Sequence, residues 1–131
     1  MNVQPSAAPP GVLVADDDEL VRGVLGAALR DGGFVPHLAP DGEGAIDLLR
    51  CHKDEVGVLL LDVRMPGLDG PQTLAELRRI LPHVPCCFMT GYSEPYGAED
   101  LMALGAARVF DKPFRLDEVL RTLAELCGRT A

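Results

Sequence analysis

Residues 58–67 read VLLLDVRMPG, a run of branched aliphatic side chains that ends in a carboxylate and then a turn. Such a run, bounded by Met-Pro-Gly, is typical of a short strand buried on both faces. Asp62 therefore stands where a parallel strand leaves its sheet. Open α/β sheets hold their functional groups at that edge.

Three further apolar runs also end in polar residues, so acids, a hydroxyl and a lysine follow separate predicted strands. Parallel strands present their carboxyl ends along one edge, and we therefore expect these groups to converge. The runs and the groups that follow them are VLVA (12–15) before Asp16-Asp17-Asp18, CCFM (86–89) before Thr90, and RVF (108–110) before Asp111-Lys112-Pro113.

Helical periodicity separates the predicted strands, and the chain alternates strand and helix five times. Residues 34–39 form a further predicted strand, and Pro36 inside it cannot donate a ladder hydrogen bond, which places this strand at a sheet edge. Five βα units with short connections predict a parallel sheet covered by helices on both faces, flavodoxin-like, with strand order 2-1-3-4-5. The predicted helices follow each strand over about 20–31, 42–52, 74–81, 96–104 and 116–126.

Length and charge limit the possible functions. The 131 residues suit one domain, for which we predict a flexible tail over 1–10, a folded unit over 11–128 and a short tail over 129–131. The net charge of -8 argues against direct binding of nucleic acid, which needs clustered Lys and Arg. No run is long enough to span a membrane, so we expect a cytoplasmic protein that binds cations or a basic partner surface.

The cysteines and histidines form no recognisable motif. Cys86 and Cys87 are neighbours in a predicted strand, so their side chains point to opposite faces. The four cysteines show neither a CxxC pair nor a zinc spacing, and we interpret them as free thiols of a reducing cytosol. The three histidines, which share no spacing, are interpreted as surface or partly buried side chains: His37, His52 and His83.

The predicted meeting of Asp16, Asp17 and Asp62 has an electrostatic consequence. Two carboxylates about 4 Å apart repel by about 4 kcal/mol at an effective dielectric constant of 20. A hard divalent cation relieves this repulsion, and oxygen ligands at a water-accessible site suit Mg²⁺. The ammonium of Lys112 neutralises the charge that remains. The sequence therefore predicts a magnesium site with a lysine counter-ion.

A carboxylate held beside Mg²⁺ and a lysine can attack phosphorus and form an aspartyl phosphate. Thr90 offers a hydroxyl to a phosphoryl oxygen, and Gly91 offers a backbone N–H without a side chain that would block approach. The Lys112-Pro113 bond, in its cis form, would aim the lysine inward, but the sequence leaves the isomer open.

This combination resembles the receiver domain of bacterial two-component response regulators over most of the chain, from about Gly11 to Cys127. Each motif is weak alone, but all occur in the family's order and strand positions. The motifs that carry the resemblance are Asp16-Asp17, Asp62 with Met65-Pro66-Gly67, Thr90-Gly91 and Lys112-Pro113-Phe114.

The resemblance implies a role for each matching residue. Asp62 is the phosphoacceptor, supplied by a sensor histidine kinase or a histidine phosphotransfer protein. Asp17 and Asp62 bind Mg²⁺ directly, Asp16 binds it through water, and Arg64 contributes its backbone carbonyl. The resemblance also implies that the phosphoryl group is read by Thr90 and Lys112. It leaves open whether the chain is a free-standing regulator or a piece of a larger one with an output domain.

The sequence departs from the family pattern at two places. The family often has Tyr or Phe three residues before the lysine as a rotamer switch, but Val109 stands here and Phe110 beside it should face the other way. The positions two after the acceptor and two after the threonine are Arg64 and Tyr92, and neither supplies an obvious group to orient water. We therefore predict an aspartyl phosphate that hydrolyses slowly.

Two other functions remain as alternatives. Val109 keeps open an unphosphorylated receiver-like interaction module. A Mg²⁺-dependent phosphatase with an aspartyl nucleophile would need a second acid two residues after Asp62, where Arg64 stands. We expect no enzyme activity beyond gain and loss of the protein's own phosphoryl group.

Overall fold

The computed structural model describes residues 8–91 and 95–128. Its five strands form one parallel sheet in the order 2-1-3-4-5, which confirms the predicted flavodoxin-like fold. The strands are β1 (Gly11–Ala15), β2 (Val35–Ala39), β3 (Val56–Asp62), β4 (Cys86–Thr90) and β5 (Arg108–Asp111). The helices are α1 (Glu19–Asp31), α2 (Gly42–His52), α3 (Gly70–Ile80), α4 (Ala98–Ala103) and α5 (Leu116–Leu126).

The sheet separates two apolar layers, and the alternation of side chains along each strand fills both. In β3, Leu59 and Leu61 belong to one layer, whereas Val58 and Leu60 belong to the other. All four are fully buried, as expected for a central strand of a doubly covered sheet. The same alternation places Cys86 and Cys87 on opposite faces, as predicted, and the four cysteines are free.

Aspartates begin three of the helices and fix the loops that leave the carboxyl ends of the strands. Asp18 accepts a hydrogen bond from Leu20 N at 2.9 Å, and Asp41 accepts one from Gly44 N at 2.7 Å. Asp69 and Gln72 form a reciprocal capping box at the start of α3. These caps satisfy amide groups that a helix leaves unpaired, so each loop at this edge has a defined end.

The prediction for α4 was too long. Residues 96–104 show helical spacing, but the helix spans only Ala98–Ala103 because Gly97 is its first flanking residue. Gly97 N donates to Asp100 Oδ2 at 2.8 Å, which fixes the start of the helix. At the other end, Gly105 adopts a positive φ of 94° and ends the turn. Tyr96 therefore lies outside α4.

Helix α1 has more apolar residues at helical spacing than the core buries. Leu25 and Leu29 are buried against the sheet, but Leu20 and Val24 are exposed, Leu20 by 79% of its surface. Spacing alone does not distinguish the two sets, because all four repeat at helical intervals.

Of the predicted tails, the structure describes only residues 8–10. Pro10 O accepts a hydrogen bond from Val35 N at 3.0 Å, so pairing with β2 begins just before β1. The remaining tail residues, 1–7 and 129–131, lie outside the described part of the chain. Among the helices described, none has the length and apolar character needed to cross a bilayer.

Candidate functional site

The carboxyl ends of β1 and β3 lie side by side and bring three acids together. Ala15 pairs with Leu61 across the two strands, and Asp16 and Asp62 continue from them on the same edge of the sheet. One carboxylate oxygen from each of the three predicted acids lies within 4.8 Å of the others, and we call this set the acidic cluster: Asp16, Asp17 and Asp62. This is the convergence that the sequence predicts.

Lys112 reaches into the acidic cluster from the end of β5. Its Nζ lies 2.9 Å from Asp16 Oδ2 and 3.5 Å from Asp62 Oδ2, so one ammonium serves two carboxylates. Its backbone N donates to Thr90 O at 2.8 Å, which ties the loop after β5 to the end of β4. The Lys112-Pro113 bond is cis.

Asp16 is the most constrained of the three acids, and its side chain is fully buried. Its Oδ1 accepts a hydrogen bond from Asp18 N at 2.9 Å, while Oδ2 accepts one from Lys112. Its backbone carbonyl accepts a further bond from Arg22 Nη1 at 2.9 Å. Asp17, by contrast, is exposed. Asp16 thus has both oxygens engaged, whereas Asp17 faces solvent.

The electrostatics of the site fit a divalent cation. Burial, reinforced by the Asp16 charge, raises the pKa of Asp62 to about 7, although the ammonium of Lys112 acts in the opposite direction. Burial alone lowers the pKa of Lys112, but its contacts with Asp16 and Asp62 outweigh this and raise it overall. A second positive charge beside Asp62 would favour its ionised form, so the three acids and one lysine suit a hard cation such as Mg²⁺.

Thr90 lies at the same edge with its hydroxyl unused. The side chain is buried, and Oγ1 has no hydrogen-bond partner within the described chain. A buried hydroxyl without a partner costs free energy, which is typical of a group that meets a ligand. The neighbouring Gly91 is exposed, and a Cβ there would meet only Lys112 carbons at 3.7 Å and beyond. Glycine at this position is therefore not forced by packing.

A cleft of about 530 Å³ lies beside the acidic cluster and is lined by one of its members, Asp17. One wall is the loop after β3, which includes Arg64, and the opposite wall is the segment before α4. Tyr96 Oη donates to Asp69 Oδ2 at 2.7 Å and joins the two walls. This hydrogen bond could not be predicted from the sequence, because Tyr96 and Asp69 belong to no common motif.

Gly70 is a further residue of the site that sequence reasoning missed. A Cβ at this position would lie 2.5 Å from Asp62 O and 2.9 Å from Val63 Cα. Gly70 N also donates to Val63 O at 2.8 Å, so the first turn of α3 rests directly on the backbone that carries Asp62. The sequence analysis placed the third helix at about 74–81, but α3 begins at Gly70, so the prediction left Gly70 outside the helix.

Of the residues at which the sequence departs from the family pattern, the structure describes Val109 and Arg64 but not Tyr92. Val109 packs on the layer that contains Phe88, whereas Phe110 is buried in the other layer, as the sequence predicts. The usual aromatic side chain is thus missing on the face toward α4. Tyr92 lies outside the described residues.

The family assignment rests on a match that covers most of the chain. The model of the response regulator receiver domain matches residues 12–124, which extend from β1 into α5 and include every residue of the site described above. The chain belongs to the response regulator receiver domain family.

Curated receiver-containing relatives are larger than this chain. The Brucella abortus sensor kinase CckA is 34% identical over 115 residues, which cover 88% of this chain and 12% of the kinase. The Escherichia coli regulatory protein AtoC is 38% identical over 109 residues, covering 82% of this chain and 23% of that protein. The chain spans about half or less of the length of these relatives and of the response regulator MprA from Mycolicibacterium vanbaalenii.

Solved receiver structures superpose along nearly their full length. The Vibrio cholerae chemotaxis protein CheY4 has a TM-score of 0.81 and 27% identity, covering 91% of this chain and 99% of that one. The receiver domain of the Francisella response regulator 1452 has a TM-score of 0.81 and 28% identity, covering 93% and 99%. Similarity to a whole receiver domain therefore extends from sequence to fold.

Proposed function

We propose that this receiver domain accepts a phosphoryl group on Asp62 from a phosphohistidine of a sensor histidine kinase or a histidine phosphotransfer protein. The observation that carries the proposal is the acidic cluster with Lys112 at 2.9 and 3.5 Å from two of its carboxylates. Thr90 adds a buried hydroxyl without a partner at the same edge. The set combines a nucleophile, positive charge and a hydrogen-bond donor, which are the components phosphoryl transfer needs.

In the proposed reaction, one Asp62 oxygen forms a bond to phosphorus as the bond from phosphorus to the donor imidazole nitrogen breaks. The imidazole leaves with the electron pair of that bond, and Asp62 becomes an acyl phosphate. Deprotonated Asp62 is the reactive form, and Lys112 favours that form electrostatically. The ammonium also neutralises charge that spreads over the phosphoryl oxygens.

Mg²⁺ would be held by Asp17 and Asp62, by Asp16 through water and by the Arg64 backbone carbonyl, and it would supply further charge neutralisation of the phosphoryl group. The contacts of the acids support this assignment, which comes from the family resemblance. Asp16 already uses Oδ1 for Asp18 N and Oδ2 for Lys112. Asp17 is exposed and open to a direct ligand role.

Thr90 and Gly91 are the proposed readers of the modified state, together with Lys112. Thr90 Oγ1 gains an acceptor when phosphoryl oxygens arrive, so the cost of its unpaired hydroxyl is removed. Because Val109 stands where the family often has an aromatic switch, we propose that the change reaches the partner or output domain through the loop before α4 and α4 itself.

The activity is limited to gain and loss of the protein's own phosphoryl group. The proposal includes a cytoplasmic location, which the free cysteines support.

Incubation with acetyl phosphate and Mg²⁺, followed by intact-protein mass measurement, tests the proposal. We expect one added phosphoryl group on the wild type and none on Asp62→Asn. Asp47→Asn is the matched control, because Asp47 is an exposed acid of α2 that does not belong to the acidic cluster. No adduct on the wild type would favour the interaction module, and continuous release of phosphate from small substrates would favour the phosphatase.

The lifetime of the adduct tests the second departure from the family pattern. With Arg64 and Tyr92 at the two positions beside the attacking water, we expect slow loss of the phosphoryl group. Arg64→Asn should accelerate that loss by about tenfold, because the asparagine amide can orient the attacking water. Groups that assist proton transfer from water increase reaction rates by at least that factor. A wild-type adduct that decays as fast as the Arg64→Asn adduct would contradict this expectation.

A further inference from the structure

A second cluster of metal-ligating side chains lies away from the acidic cluster, and we call it the histidine cluster: His37, His52 and Glu55. One ligating atom from each lies within 4.8 Å of the other two. His37 belongs to the edge strand β2, His52 ends α2, and Glu55 directly precedes β3. Glu55 O accepts a hydrogen bond from Gly11 N at 3.0 Å, so the cluster lies toward the amino ends of the strands.

His37 supplies a buried nitrogen without a partner. Its side chain is 10% exposed, and Nε2 makes no hydrogen bond within the described chain. Glu55 Oε1 is 3.9 Å away, too far for a hydrogen bond but close enough for both atoms to meet one ion.

His52 and Glu55 complete the set of metal donors, and their side chains are more exposed than that of His37. His52 Nδ1 lies 3.2 Å from Glu55 Oε1, and the two side chains are 35% and 60% exposed. The imidazole rings stack with their centroids 4.3 Å apart and their planes inclined by 30°. His37 is held by the strand, whereas the His52 and Glu55 side chains are more exposed and contact each other by a hydrogen bond that a metal ion would replace.

We propose that the histidine cluster binds a borderline divalent transition-metal ion, with Zn²⁺ as the ion of best fit. Two imidazoles and one carboxylate are a donor set that Zn²⁺ uses with a water in the fourth position. Nitrogen donors favour Zn²⁺ over Mg²⁺, so this cluster and the acidic cluster would select different ions.

Binding requires a small movement that the structure permits. Zn²⁺ holds its nitrogen ligands at about 2.0–2.1 Å, so the ligating atoms of a tetrahedral site lie about 3.4 Å from one another. His52 Nδ1 and Glu55 Oε1 are already 3.2 Å apart, whereas His37 Nε2, at 3.9 Å from Glu55 Oε1, must approach by about 0.5 Å. A metal lies in the plane of each imidazole that binds it, and the stacked rings must therefore open. Rotation of the partly exposed His52 ring achieves this without movement of β2.

Nitrogen-15 NMR of the histidine side chains during titration with ZnCl₂, with Mg²⁺ in large excess, tests the proposal. At one equivalent of Zn²⁺, we expect the ring nitrogens of His37 and His52 to shift together, while those of His83 stay unchanged. His83 is exposed and lies in the segment before β4, so it reports adventitious binding. Unshifted His37 and His52 resonances at one equivalent, or equal shifts of all three histidines, would overturn the proposal.

Substitutions separate this site from the acidic cluster. His52→Gln should weaken Zn²⁺ binding, measured by calorimetry in excess Mg²⁺, by at least about tenfold, whereas the matched His83→Gln should not. If Zn²⁺ affinity were unchanged in His52→Gln but lost in Asp17→Asn, the ion would be assigned to the acidic cluster. That result would overturn the proposal. The phosphorylation test with acetyl phosphate is independent of both outcomes.

Discussion

Within the described residues, the acidic cluster lies at the carboxyl ends of the strands and the histidine cluster lies toward their amino ends. The two clusters differ in how they are built. The acidic cluster buries two of its three carboxylates and holds a lysine against them. The histidine cluster combines one side chain that is 10% exposed with two that are 35% and 60% exposed. Because the acidic cluster buries like charges, its stability should be sensitive to any added or lost charge, whereas ion binding at the histidine cluster depends on the positions of its donor atoms. We therefore expect a change of charge to alter stability strongly at the acidic cluster and weakly at the histidine cluster.

The largest expected contrast concerns the charged partner of each cluster. Lys112→Met should lower the free energy of unfolding of the metal-free protein by about 2–4 kcal/mol, because it leaves buried Asp16 without its counter-ion. Glu55→Gln should change it by less than about 0.5 kcal/mol, since the Glu55 side chain is 60% exposed. Urea unfolding measures both. Losses of equal size would show that the two clusters do not differ as described.

A pair of glycines sharpens the comparison at the level of the backbone. A Cβ at Gly70 would lie 2.5 Å from Asp62 O, and a Cβ at Gly11 would lie 2.6 Å from Glu55 O. Each Gly→Ala change should cost about 1–3 kcal/mol in urea unfolding, but only Gly70→Ala should slow phosphorylation by acetyl phosphate.

The control for this pair is Gly23→Ala in α1, where a new Cβ would meet no atom within 4 Å. Alanine there should stabilise the protein by about 0.5–1 kcal/mol through helix propensity. If Gly11→Ala slowed phosphorylation as strongly as Gly70→Ala, the acidic cluster would be coupled to the amino ends of the strands rather than independent of them.

The pH dependence of stability should carry the signature of Asp62. Its folded-state pKa is about 7 against an ordinary value of 3.8, so the folded protein retains a proton that the unfolded chain releases within this interval. Stability of the metal-free protein should therefore fall as the pH rises from about 4 to about 7, by about 1–2 kcal/mol after allowance for solvent access at the cleft. Thermal unfolding across this range measures the effect.

Asp62→Asn should remove this component of the slope, and Asp47→Asn should retain it. Saturating Mg²⁺ should oppose the loss above pH 6, because the cation favours the ionised carboxylate. A slope that Asp62→Asn leaves intact would contradict the assignment of this proton to Asp62.

The smallest expected effect is the relief of repulsion at Asp17. Asp17→Asn should stabilise the metal-free protein by about 0.5–1 kcal/mol while it impairs phosphorylation, because it removes an exposed like charge that is also a proposed Mg²⁺ ligand. Asp54→Asn, an exposed acid next to the histidine cluster, should change neither quantity. Identical melting temperatures of Asp17→Asn and the wild type without metal would mean that the acids are not crowded.

The acidic cluster was predictable from sequence because each of its members follows a strand with a strong local signal. The apolar runs before Asp16 and Asp62 and the edge position of Pro36 together imply the strand order, and the order implies that the acids meet. The roles of these residues, which rest on the family resemblance, stay predictions for the experiments above.

Contacts between elements without a shared motif were not predictable. His37 and His52 were interpreted separately, and their stacking arises only because the end of α2 lies against the edge strand β2. The division of the Asp16 oxygens between Asp18 N and Lys112 depends on loop geometry, which side-chain spacing does not encode. The same reason explains why the start of α4 was placed too early.

The hydrogen bond between Tyr96 and Asp69 gives the domain an internal optical reporter. The sequence has two tyrosines and no tryptophan, so near-ultraviolet emission comes from tyrosine alone. The contact with Asp69 raises the pKa of the Tyr96 hydroxyl and holds it 2.7 Å from a carboxylate on the other wall of the cleft. Emission in a Tyr92→Phe background would thus follow opening of the cleft in real time, without an attached dye.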